Sequence, residues 1–390
     1  MNILFYFISQ INPRCGGTER VADNVAHGLK TRGHEVFYLS RTRVPGEYDI
    51  PCFFLPDSQG TTQANIEYIK RLCAEKHIDV IINEAGNTDD VYMLSKKNID
   101  NVRIITELHF CPMQSFRYYC RSLHLPISLH SPTQSLVNMM KWMKAPFNRH
   151  MHWKNMVARY KYMYANSHEV VVLSPAYIKE FADIAGLHEN SHLLYIYNPN
   201  TFSRTAVSAN AKKEKIVLSI GRLDFSPKKI NYLLKIWAKL QPKHNDWRLC
   251  ICGDGPARKP LEKLVSDRHI KGVSFEGNVN PQPYYEKASI LCMTSIYEGT
   301  PMVIVEAMQM GCVPVVYGTY AAASDMIYDG KTGFVVKPFD NGLYAERLSS
   351  LMENTKLLDD MAEKAKVSAE RFSIDYVIDK WESLLKKEIE

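Results

Sequence analysis

The feature that most constrains the fold is an alternation of short apolar runs with longer amphipathic segments, which occurs twice along the chain. Runs such as residues 2–9 and 169–174 are predominantly apolar, which is typical of parallel strands covered on both faces. The alternation stops in a polar segment at 198–215, which predicts a linker, and it restarts at Ile216. We therefore predict an α/β protein with two successive doubly wound, Rossmann-like domains.

The composition is consistent with that fold and excludes several classes of protein. The 390 residues are enough for two domains of typical size, and 46% of them are hydrophobic. The nine Cys form no C-x-x-C pair or Cys/His ligand spacing, so we expect no zinc site or disulfide framework, and a reducing cytoplasm. No run approaches the ~20 apolar residues of a membrane span. The N-terminus, MNILFYFIS, lacks a basic region and predicts a buried strand instead of a signal peptide.

The segment 295–314 carries the clearest chemical signal. It opens on a turn that begins at Glu298, continues as a predicted helix that carries Glu306, and ends at Gly311. The N–H groups at the start of such a helix are mostly unpaired and favour anions. A carboxylate on each side of an anion-binding helix start suits a ligand that offers phosphates to the backbone and hydroxyls to the carboxylates. A nucleotide-sugar is such a ligand.

Glu298-Gly299-x-Pro301 with Glu306 resembles the E-x7-E signature of retaining GT-B glycosyltransferases, most closely family 4. The resemblance covers most of the second half of the chain and, more weakly, the first. It implies two domains that face each other across a cleft. The expected regions are an acceptor-binding domain at 1–200 with an insertion at about 110–165, a nucleotide-sugar domain at 201–375, and a helix at 376–390 that crosses back to the first domain. Thr300 departs from the family's usual Phe and leaves the shape of the sugar pocket open.

Stabilisation of a departing diphosphate requires fixed cations or a metal ion. Arg222 follows a predicted strand, and Lys228 and Lys229 follow six and seven residues later. The resemblance assigns an Arg and a Lys to the diphosphate, at a spacing usually one residue shorter, so either lysine fits. The family's paired aliphatic residues match Leu233-Leu234, which favours Lys229. Asp89-Asp90 is not the D-x-D metal signature, so we expect no metal and no cofactor beyond the donor.

Two signals in the first half are weaker. The fingerprint G-x-G-x-x-G is absent, and the pair Gly16-Gly17 fits a simple tight turn as well as a ligand-binding loop. His109 ends a predicted strand at 102–108, where open α/β sheets bind ligands, although a lone His is as often structural. The resemblance implies that the Gly-Gly loop faces the donor phosphates and the acceptor, and that His109 contacts the donor sugar near the reacting carbon.

The resemblance thus implies a full set of site residues. Glu306 would bind the ribose hydroxyls, and Glu298 would bind the sugar and respond to its developing positive charge. The expected catalytic residues are His109, Glu298, Arg222 and Lys229. The expected donor-binding residues are Gly16, Gly17, Arg222, Lys228, Lys229, Gly299, Thr300, Pro301, Met302 and Glu306.

The stretch from Leu108 to His168 contains eight Lys or Arg residues and no Asp or Glu, interleaved with Met and aromatic residues that include Trp142, Phe147 and Trp153. A solvated basic face rarely carries so many aromatic residues. A nucleic-acid surface would be basic and aromatic too, but nothing else in the chain resembles such a module, so we expect no nucleic-acid partner. The pattern favours an interfacial segment on an anionic membrane surface, near a lipid-linked acceptor.

The sequence therefore predicts a cytoplasmic, peripheral membrane glycosyltransferase, of hexosyl or N-acetylhexosaminyl type, at the inner face of the cell membrane. It would move a sugar from a nucleotide-sugar, with UDP expected, to a glycan acceptor in cell-surface polysaccharide synthesis. One alternative is a GT-B nucleotide-sugar 2-epimerase, which would not need the basic aromatic stretch. Another is a non-catalytic lipid- or glycan-binding module, which would not bind nucleotide.

Overall fold

The computed structural model describes residues 1–12, 17–43, 49–114, 116–117, 120, 132–202, 213–225 and 227–387. The chain divides into two compact units, here called unit 1 and unit 2. Unit 1 comprises Met1–Ile196 and, from the C-terminus, Lys387, whereas unit 2 comprises Tyr197–Lys386. Within the described residues, no helix is both long enough and apolar enough to cross a membrane.

Unit 1 is built on a seven-stranded parallel sheet. Its strands are β1 (Asn2–Ser9), β2 (Glu35–Thr42), β3 (Cys52–Phe54), β4 (Val80–Asn83), β5 (Arg103–Leu108), β6 (Glu169–Val172) and β7 (Leu193–Tyr195). They lie in the order β3-β2-β1-β4-β5-β6-β7, so the direction of winding reverses between β1 and β4. The described helices are α1 (Gly17–Thr31), α2 (Gln63–Glu75), α3 (Pro132–Met143), α4 (Ala145–Asn166) and α5 (Pro175–Ala185), with a 3-10 turn at Asp89–Tyr92.

The central strands of unit 1 are apolar because the sheet is covered on both faces. Val80, Ile81 and Ile82 of β4 have no exposed surface. The helices follow their apolar stripes, and α1 buries Val21, Ala22, Val25, Ala26 and Leu29 at helical spacing. Burial of an aliphatic side chain contributes about 1.5–3 kcal/mol to stability. A shift of one strand against the next would disturb many such buried side chains, so their burial fixes the register of the sheet.

Unit 2 is built on a six-stranded parallel sheet. Its strands are β8 (Glu214–Ile220), β9 (Arg248–Cys252), β10 (Val273–Gly277), β11 (Ala288–Met293), β12 (Val313–Tyr317) and β13 (Phe334–Val336). They lie in the order β10-β9-β8-β11-β12-β13, with the reversal between β8 and β11. The helices are α6 (Ile230–Leu240), α7 (Arg258–Asp267), α8 (Gln282–Lys287), α9 (Met302–Gln309), α10 (Ala322–Met326), α11 (Asn341–Glu353), α12 (Thr355–Ala369) and α13 (Ile374–Leu385), with a 3-10 turn at Glu370–Phe372.

The core of unit 2 forms where α6 and α11 cover one face of the sheet. Trp237 of α6 and Tyr344 of α11 have no exposed surface. The indole N–H of Trp237 donates to the carbonyl of Lys271 at 2.9 Å, which satisfies the one polar atom of a buried ring. Such buried aromatic residues hold the strand ends in place, and those ends carry the candidate site.

The prediction of two doubly wound α/β domains is confirmed by both sheets. Helix α13 belongs to unit 2, and its crossing to the first domain remains a prediction. Residues 203–212 of the expected linker lie outside the described residues. In open parallel sheets, ligands bind beyond the carboxyl ends of the strands where the winding reverses. That rule directs attention to the ends of β1, β4 and β5 in unit 1 and of β8 and β11 in unit 2.

Candidate active site

An ion pair joins the two loops at the reversal point of unit 2. Lys228 lies in the loop after β8 and Glu298 in the loop after β11, and Lys228 Nζ lies 2.7 Å from Glu298 Oε1. The two side chains are only 20% and 15% exposed, so the pair is screened less than a surface pair. A cation and a carboxylate from separate loops therefore meet at the edge where this fold binds ligands.

The neighbouring lysine has a different role in the backbone. Lys229 adopts a left-handed conformation, with φ of 47°, and caps the N-terminus of α6. The hydroxyl of Thr294 donates to the carbonyls of both Lys228 and Lys229, at 3.1 Å each, and fixes the bend. Lys228 itself lies against Gly221, where an added Cβ would be 3.1 Å from Lys228 Cε. The bend thus places Lys228, the residue before the turn, beside the end of β8.

Arg222 lies in the same loop after β8 and is the most exposed of these cations, at 73%. Its Nε lies 3.3 Å from the carboxylate of Asp224. Arg222 also lines a cavity of about 410 Å³ in unit 2, whose lining residues are Ile220, Gly221, Arg222, Cys252, Gly253, Asp254, Asn278, Val279 and Pro281. The volume is within the usual range for small-ligand sites.

Two glycines allow the wall of this cavity to close up. Gly221 and Gly253 both have positive φ, of 144° and 138°. A Cβ on Gly253 would lie 2.0 Å from the carbonyl oxygen of Gly221, so no larger residue fits without backbone movement. The loops after β8 and β9 therefore approach each other closely, and Leu223 N–H donates to the Asp254 carbonyl at 2.9 Å.

Glu306 is buried inside unit 2, as expected for a carboxylate in an apolar helix with polar partners. The hydroxyl of Thr201 donates to Oε1 at 2.6 Å, and the hydroxyl of Tyr285 donates to Oε2 at 2.8 Å. The side chain is 2% exposed. A ribose at this carboxylate would share it with these hydroxyls or displace them.

The turn between the two carboxylates is held from outside the helix. Helix α9 begins at Met302, with Pro301 as its N-cap residue and Ile304 N–H donating to the Pro301 carbonyl at 3.1 Å. Asn198 Nδ2 donates to the hydroxyl of Thr300 at 3.0 Å. Gly299 and Thr300 are half-buried. Contacts from a residue outside the helix, Asn198, therefore help to fix this turn.

In unit 1, His109 lies directly after β5 and is 7% exposed. Its Nε2 contacts the carboxylate of Glu84, which directly follows β4. Its Nδ1 lies 3.8 Å from Oε1 of Glu107, a residue of β5, and makes no hydrogen bond. The side chains of His109, Glu84 and Glu107 are 3%, 4% and 7% exposed. We call these three residues the Glu84–His109–Glu107 cluster.

The surroundings of this cluster raise the pKa values of Glu107 and His109. Burial raises the pKa of Glu107 to about 8, with the charge of His109 opposing and that of Glu84 adding to the shift. Burial alone would lower the pKa of His109, but the neighbouring Glu107 and Glu84 outweigh it and raise that pKa to about 9. Both shifts point the same way, toward groups that hold their protons more firmly than they would in water.

The cluster also has the residue types of a metal site, since its ligand-type atoms lie within 4.8 Å of one another. A metal ion would have to lie between atoms that it ligates at about 2.0–2.2 Å. As the side chains stand, a proton joins the His109 nitrogen to the Glu84 oxygen, and a metal ion on these atoms would replace that hydrogen bond. The arrangement suits a shared proton better than an ion.

The remaining predicted site residues of unit 1 are less informative. Gly17 starts α1, with no atom within 4 Å of an added Cβ, and Gly16 lies outside the described residues. Asp90 is buried in an ion pair with Arg41, whereas Asp89 is exposed and pairs with Arg159 at 2.7 Å. These two acidic residues serve structural ion pairs.

The basic aromatic stretch includes α3 and α4, and part of it, residues 115, 118–119 and 121–131, lies outside the described residues. Two of its cations are paired with acids elsewhere, Arg117 with Glu180 at 3.3 Å and Arg159 with Asp89. Trp153 is half-buried against Phe116, with ring centroids 5.1 Å apart. The exposed apolar residues of α3 and α4 are instead Val137, Met139, Met140, Met143, Phe147 and Met151.

Sequence reasoning missed several residues at these edges. Glu84 follows a buried strand, the same position that singled out His109, so the same rule could have found it. Glu107 is a carboxylate inside a predicted buried strand, which is itself a signal. Tyr285 and Thr201 gave no signal, because nothing local marks a hydroxyl as the partner of Glu306.

Comparison with known families agrees with the two halves of this architecture. Residues 15–204 match the family model described as Glycosyltransferase Family 4. Residues 203–368 match the model described as Glycosyl transferases group 1. Together the matches cover both units.

Curated relatives are also named as glycosyltransferases. An uncharacterized glycosyltransferase of Haemophilus influenzae is 31% identical over 204 residues, which is 50% of this chain and 56% of the relative. A Campylobacter jejuni alpha-1,4-N-acetyl-D-galactosaminyltransferase, named for the acceptor GalNAc-alpha-(1->4)-GalNAc-alpha-(1->3)-diNAcBac-PP-undecaprenol, is 30% identical over 192 residues, or 49% and 53% of the two chains. The chain thus spans about half the length of these curated relatives.

Solved structures share the fold. The Anabaena protein HepE in complex with UDP superposes with a TM-score of 0.72 at 18% identity, over 99% of both chains. At that identity the likeness concerns the arrangement of the chain alone.

Proposed function

The chain belongs to the glycosyl transferases of group 1 and family 4, and from that premise we propose that it transfers a sugar from a nucleotide-sugar to a glycan acceptor. The observation that carries this proposal is the cation–carboxylate pair of Lys228 and Glu298 beside the exposed Arg222, at the reversal point of the unit 2 sheet. Cations there can meet a diphosphate, and the carboxylate can meet sugar hydroxyls.

The two cations would stabilise the departing diphosphate. Arg222 is exposed and close to a cavity large enough for part of a nucleotide, and its guanidinium can bind two oxygens at once. The position of Lys228 against Gly221 and Glu298 supports Lys228 as the second cation, in preference to Lys229. A diphosphate that draws the Lys228 ammonium away would also release Glu298 toward the sugar. No metal is required by this arrangement.

The backbone and the second carboxylate complete the donor site. The turn from Gly299 to Pro301 and the start of α9 at Met302 would offer backbone N–H groups, except at Pro301, and a favourable dipole to phosphate oxygens. Glu306 would bind the ribose hydroxyls, with Tyr285 and Thr201 holding its carboxylate in place. In unit 1, His109 would contact the donor sugar, and the turn that includes Gly17 would approach the phosphates and the acceptor. Departure and attack on one face of the sugar would retain its configuration.

For the donor and acceptor we propose a UDP-sugar and a lipid-linked glycan. HepE was solved with UDP, and the Campylobacter relative is named for an undecaprenol-diphosphate acceptor. Both are properties of those proteins and support the choice for this one. The reaction would then be a hexosyl or N-acetylhexosaminyl transfer in cell-surface polysaccharide synthesis.

An acceptor of that kind lies in a membrane, and we place the enzyme at its inner, anionic surface. Phe147 and Met143 are 67% and 62% exposed on consecutive helices, and Lys144, Arg149 and Lys154 are exposed among them. Apolar residues can insert while each nearby cation adds about 1 kcal/mol of attraction to anionic lipid. We therefore assign insertion to Met143 and Met140 in place of Trp153, which is half-buried against Phe116; the side chain of Trp142 lies outside the described residues.

A donor screen tests the catalytic proposal. Purified protein is incubated with a panel of nucleotide-sugars, with and without membrane lipid extract, and nucleotide release is measured. We expect release from one donor that rises with lipid extract. Release of free UDP with no dependence on extract would indicate the 2-epimerase or hydrolysis. No release and no nucleotide binding would indicate a non-catalytic module.

Vesicle flotation tests the membrane proposal. Wild-type protein should float with anionic vesicles, and high salt should reduce this binding without abolishing it, because salt screens charges and leaves apolar insertion intact. Changing Lys144, Arg149 and Lys154 together to Glu should release the protein. Lys235, Lys239 and Lys243, exposed in unit 2, provide the matched triple change, which should leave flotation intact. If wild-type protein ignores anionic vesicles at low salt, the membrane assignment is wrong.

A further inference from the structure

The Glu84–His109–Glu107 cluster is more elaborate than a single sugar contact requires. Two carboxylates from the ends of neighbouring strands converge on one buried ring. Glu84 contacts Nε2 directly, whereas Glu107 lies 3.8 Å from Nδ1. The two carboxylates therefore act on different nitrogens, at different distances.

A buried carboxylate in direct contact with a ring nitrogen requires a proton between them, and a charged group is tolerated in such a place only if it is paired. With Glu84 as the acceptor at Nε2, the ring has one carboxylate to match one positive charge. Glu107 is the second carboxylate. If Glu107 were ionised as well as Glu84, the cluster would carry one negative charge without a matching positive charge. Arg159, the cation of α4 near the end of β5, is already paired with Asp89.

We propose that Glu84 and Glu107 are positioning residues that hold His109 as an imidazolium in one ring orientation, with Glu84 ionised and Glu107 protonated. The catalytic consequence of this inference rests on the proposed function, in which His109 meets the donor sugar. The cluster is then neutral overall, and an anionic donor meets no net negative charge there. His109 acts as a donor of hydrogen bonds, since an imidazolium has no acceptor nitrogen.

The chain contains its own reference histidine. His168, which directly precedes β6, accepts a hydrogen bond at Nδ1 from the backbone N–H of Ile104 at 2.9 Å. Burial, followed by the charge of Lys96, lowers the pKa of His168. His168 should therefore be neutral under conditions in which His109 is charged. The two histidines flank neighbouring strands, since His109 follows β5 and His168 precedes β6.

The charge state is measured on the protein alone. Nitrogen-15 spectra of the histidine rings are recorded at pH 7.5, with His109 assigned by its loss in His109→Gln and His168 by its loss in His168→Gln. We expect two protonated nitrogens for His109 and one for His168. A neutral His109 at pH 7.5 overturns the proposal whatever the enzyme does. Broadening of the His109 signals by added Mn²⁺ would reveal a metal site in its place and overturn it too.

Two matched variants separate the roles of the carboxylates. Glu84→Gln can still accept a hydrogen bond at Nε2 but has no charge, so the imidazolium signal should be lost and kcat should fall by about 10²-fold. Glu107→Gln replaces a protonated carboxyl with an amide. It should lower kcat by about threefold or less at pH 7.5 and keep the imidazolium signal of His109. Glu75→Gln, on the surface of α2, controls for the substitution itself. Thermal unfolding confirms that each variant folds.

The results distinguish this inference from the proposed function. If the wild-type protein transfers no sugar but His109 is charged and Glu84→Gln discharges it, the proposed function fails and the charge assignment stands. If transfer occurs and Glu84→Gln retains full kcat, the assignment of a charged His109 in catalysis is overturned. A loss in Glu107→Gln as large as in Glu84→Gln overturns the division between an ionised and a protonated carboxylate.

Discussion

The sheet edges of the two units present their charges in opposite ways. In unit 2, Arg222 is 73% exposed and Lys228 and Glu298 are partly exposed, so these groups can change partners when an anion arrives. In unit 1, the side chains of His109, Glu84 and Glu107 are at most 7% exposed, and each carboxylate lies next to one nitrogen of the ring. Under the proposed function, the unit 2 edge would receive the charged donor, whereas the unit 1 edge would keep its own charged groups in place.

The comparison predicts that Arg222→Ala has the largest effect on turnover and almost none on stability. Loss of a cation at the departing diphosphate should reduce kcat/KM by about 10²–10³-fold, or about 2–4 kcal/mol of transition-state stabilisation. An exposed side chain should change the free energy of unfolding by about 0.5 kcal/mol or less. Steady-state kinetics and urea unfolding measure the two quantities. Arg248→Ala, also exposed in unit 2 and paired with Glu214, is the control. Full activity in Arg222→Ala would refute the diphosphate assignment.

Within unit 2, the two carboxylates should differ in which kinetic constant they affect. We propose that a bound diphosphate draws Lys228 away from Glu298 and lets Glu298 meet the sugar, so Glu298→Gln should lower kcat by about tenfold or more. The proposed contact of Glu306 with the ribose is similar in the ground and transition states, so Glu306→Gln should mainly raise the donor KM. The exposed Glu363 supplies a control Gln substitution. An exchange of the two effects would reverse the roles assigned to these residues.

The smallest effect concerns stability in unit 1. The folded pKa values of Glu107, about 8, and His109, about 9, lie above the ordinary values of 4.5 and 6.5. Groups with raised pKa values contribute stability that is fully present below the ordinary pKa and is lost as the pH rises through the folded one. The free energy of unfolding should therefore fall from about pH 4.5 to 8 through Glu107 and from about pH 6.5 to 9 through His109, by at most about 1.4 kcal/mol per proton and pH unit.

Urea unfolding at pH 6, 7, 8 and 9 measures this dependence. In Glu107→Gln the fall should be shallower, because the only proton still linked to folding in the cluster is that of His109. An unfolding free energy that is flat across this range in the wild type would contradict the description of a buried, proton-holding edge.

The same contrast explains what could be predicted from sequence. The sheets followed from the apolar runs, because burial on both faces leaves a direct record in residue type. The candidate site of unit 2 could be proposed from the sequence as well, since Glu298, Glu306 and Arg222 lie in short motifs. Lys228 was harder to distinguish from Lys229, because the choice depends on a left-handed backbone at Lys229 that no local rule requires of a lysine.

The unit 1 edge was less predictable for a physical reason. Glu84 and His109 are 25 residues apart in the chain and meet only because β4 and β5 are neighbours in the sheet. Tyr285 and Thr201 likewise reach Glu306 from remote segments. Strand order and side-chain partners arise from packing across the whole sheet, so they cannot be recovered from spacing along the chain.

Calorimetric titration with UDP is the most direct test, because it measures whether Arg222 and Lys228 of unit 2 contribute to binding the donor's diphosphate. In buffer with EDTA, we predict one binding site in the wild type. Binding should weaken about tenfold or more in Arg222→Ala and in Lys228→Ala, as expected for loss of a charge-assisted hydrogen bond, and much less in Lys229→Ala. An absence of UDP binding to the wild type, or equal affinity in all three variants, would contradict the account.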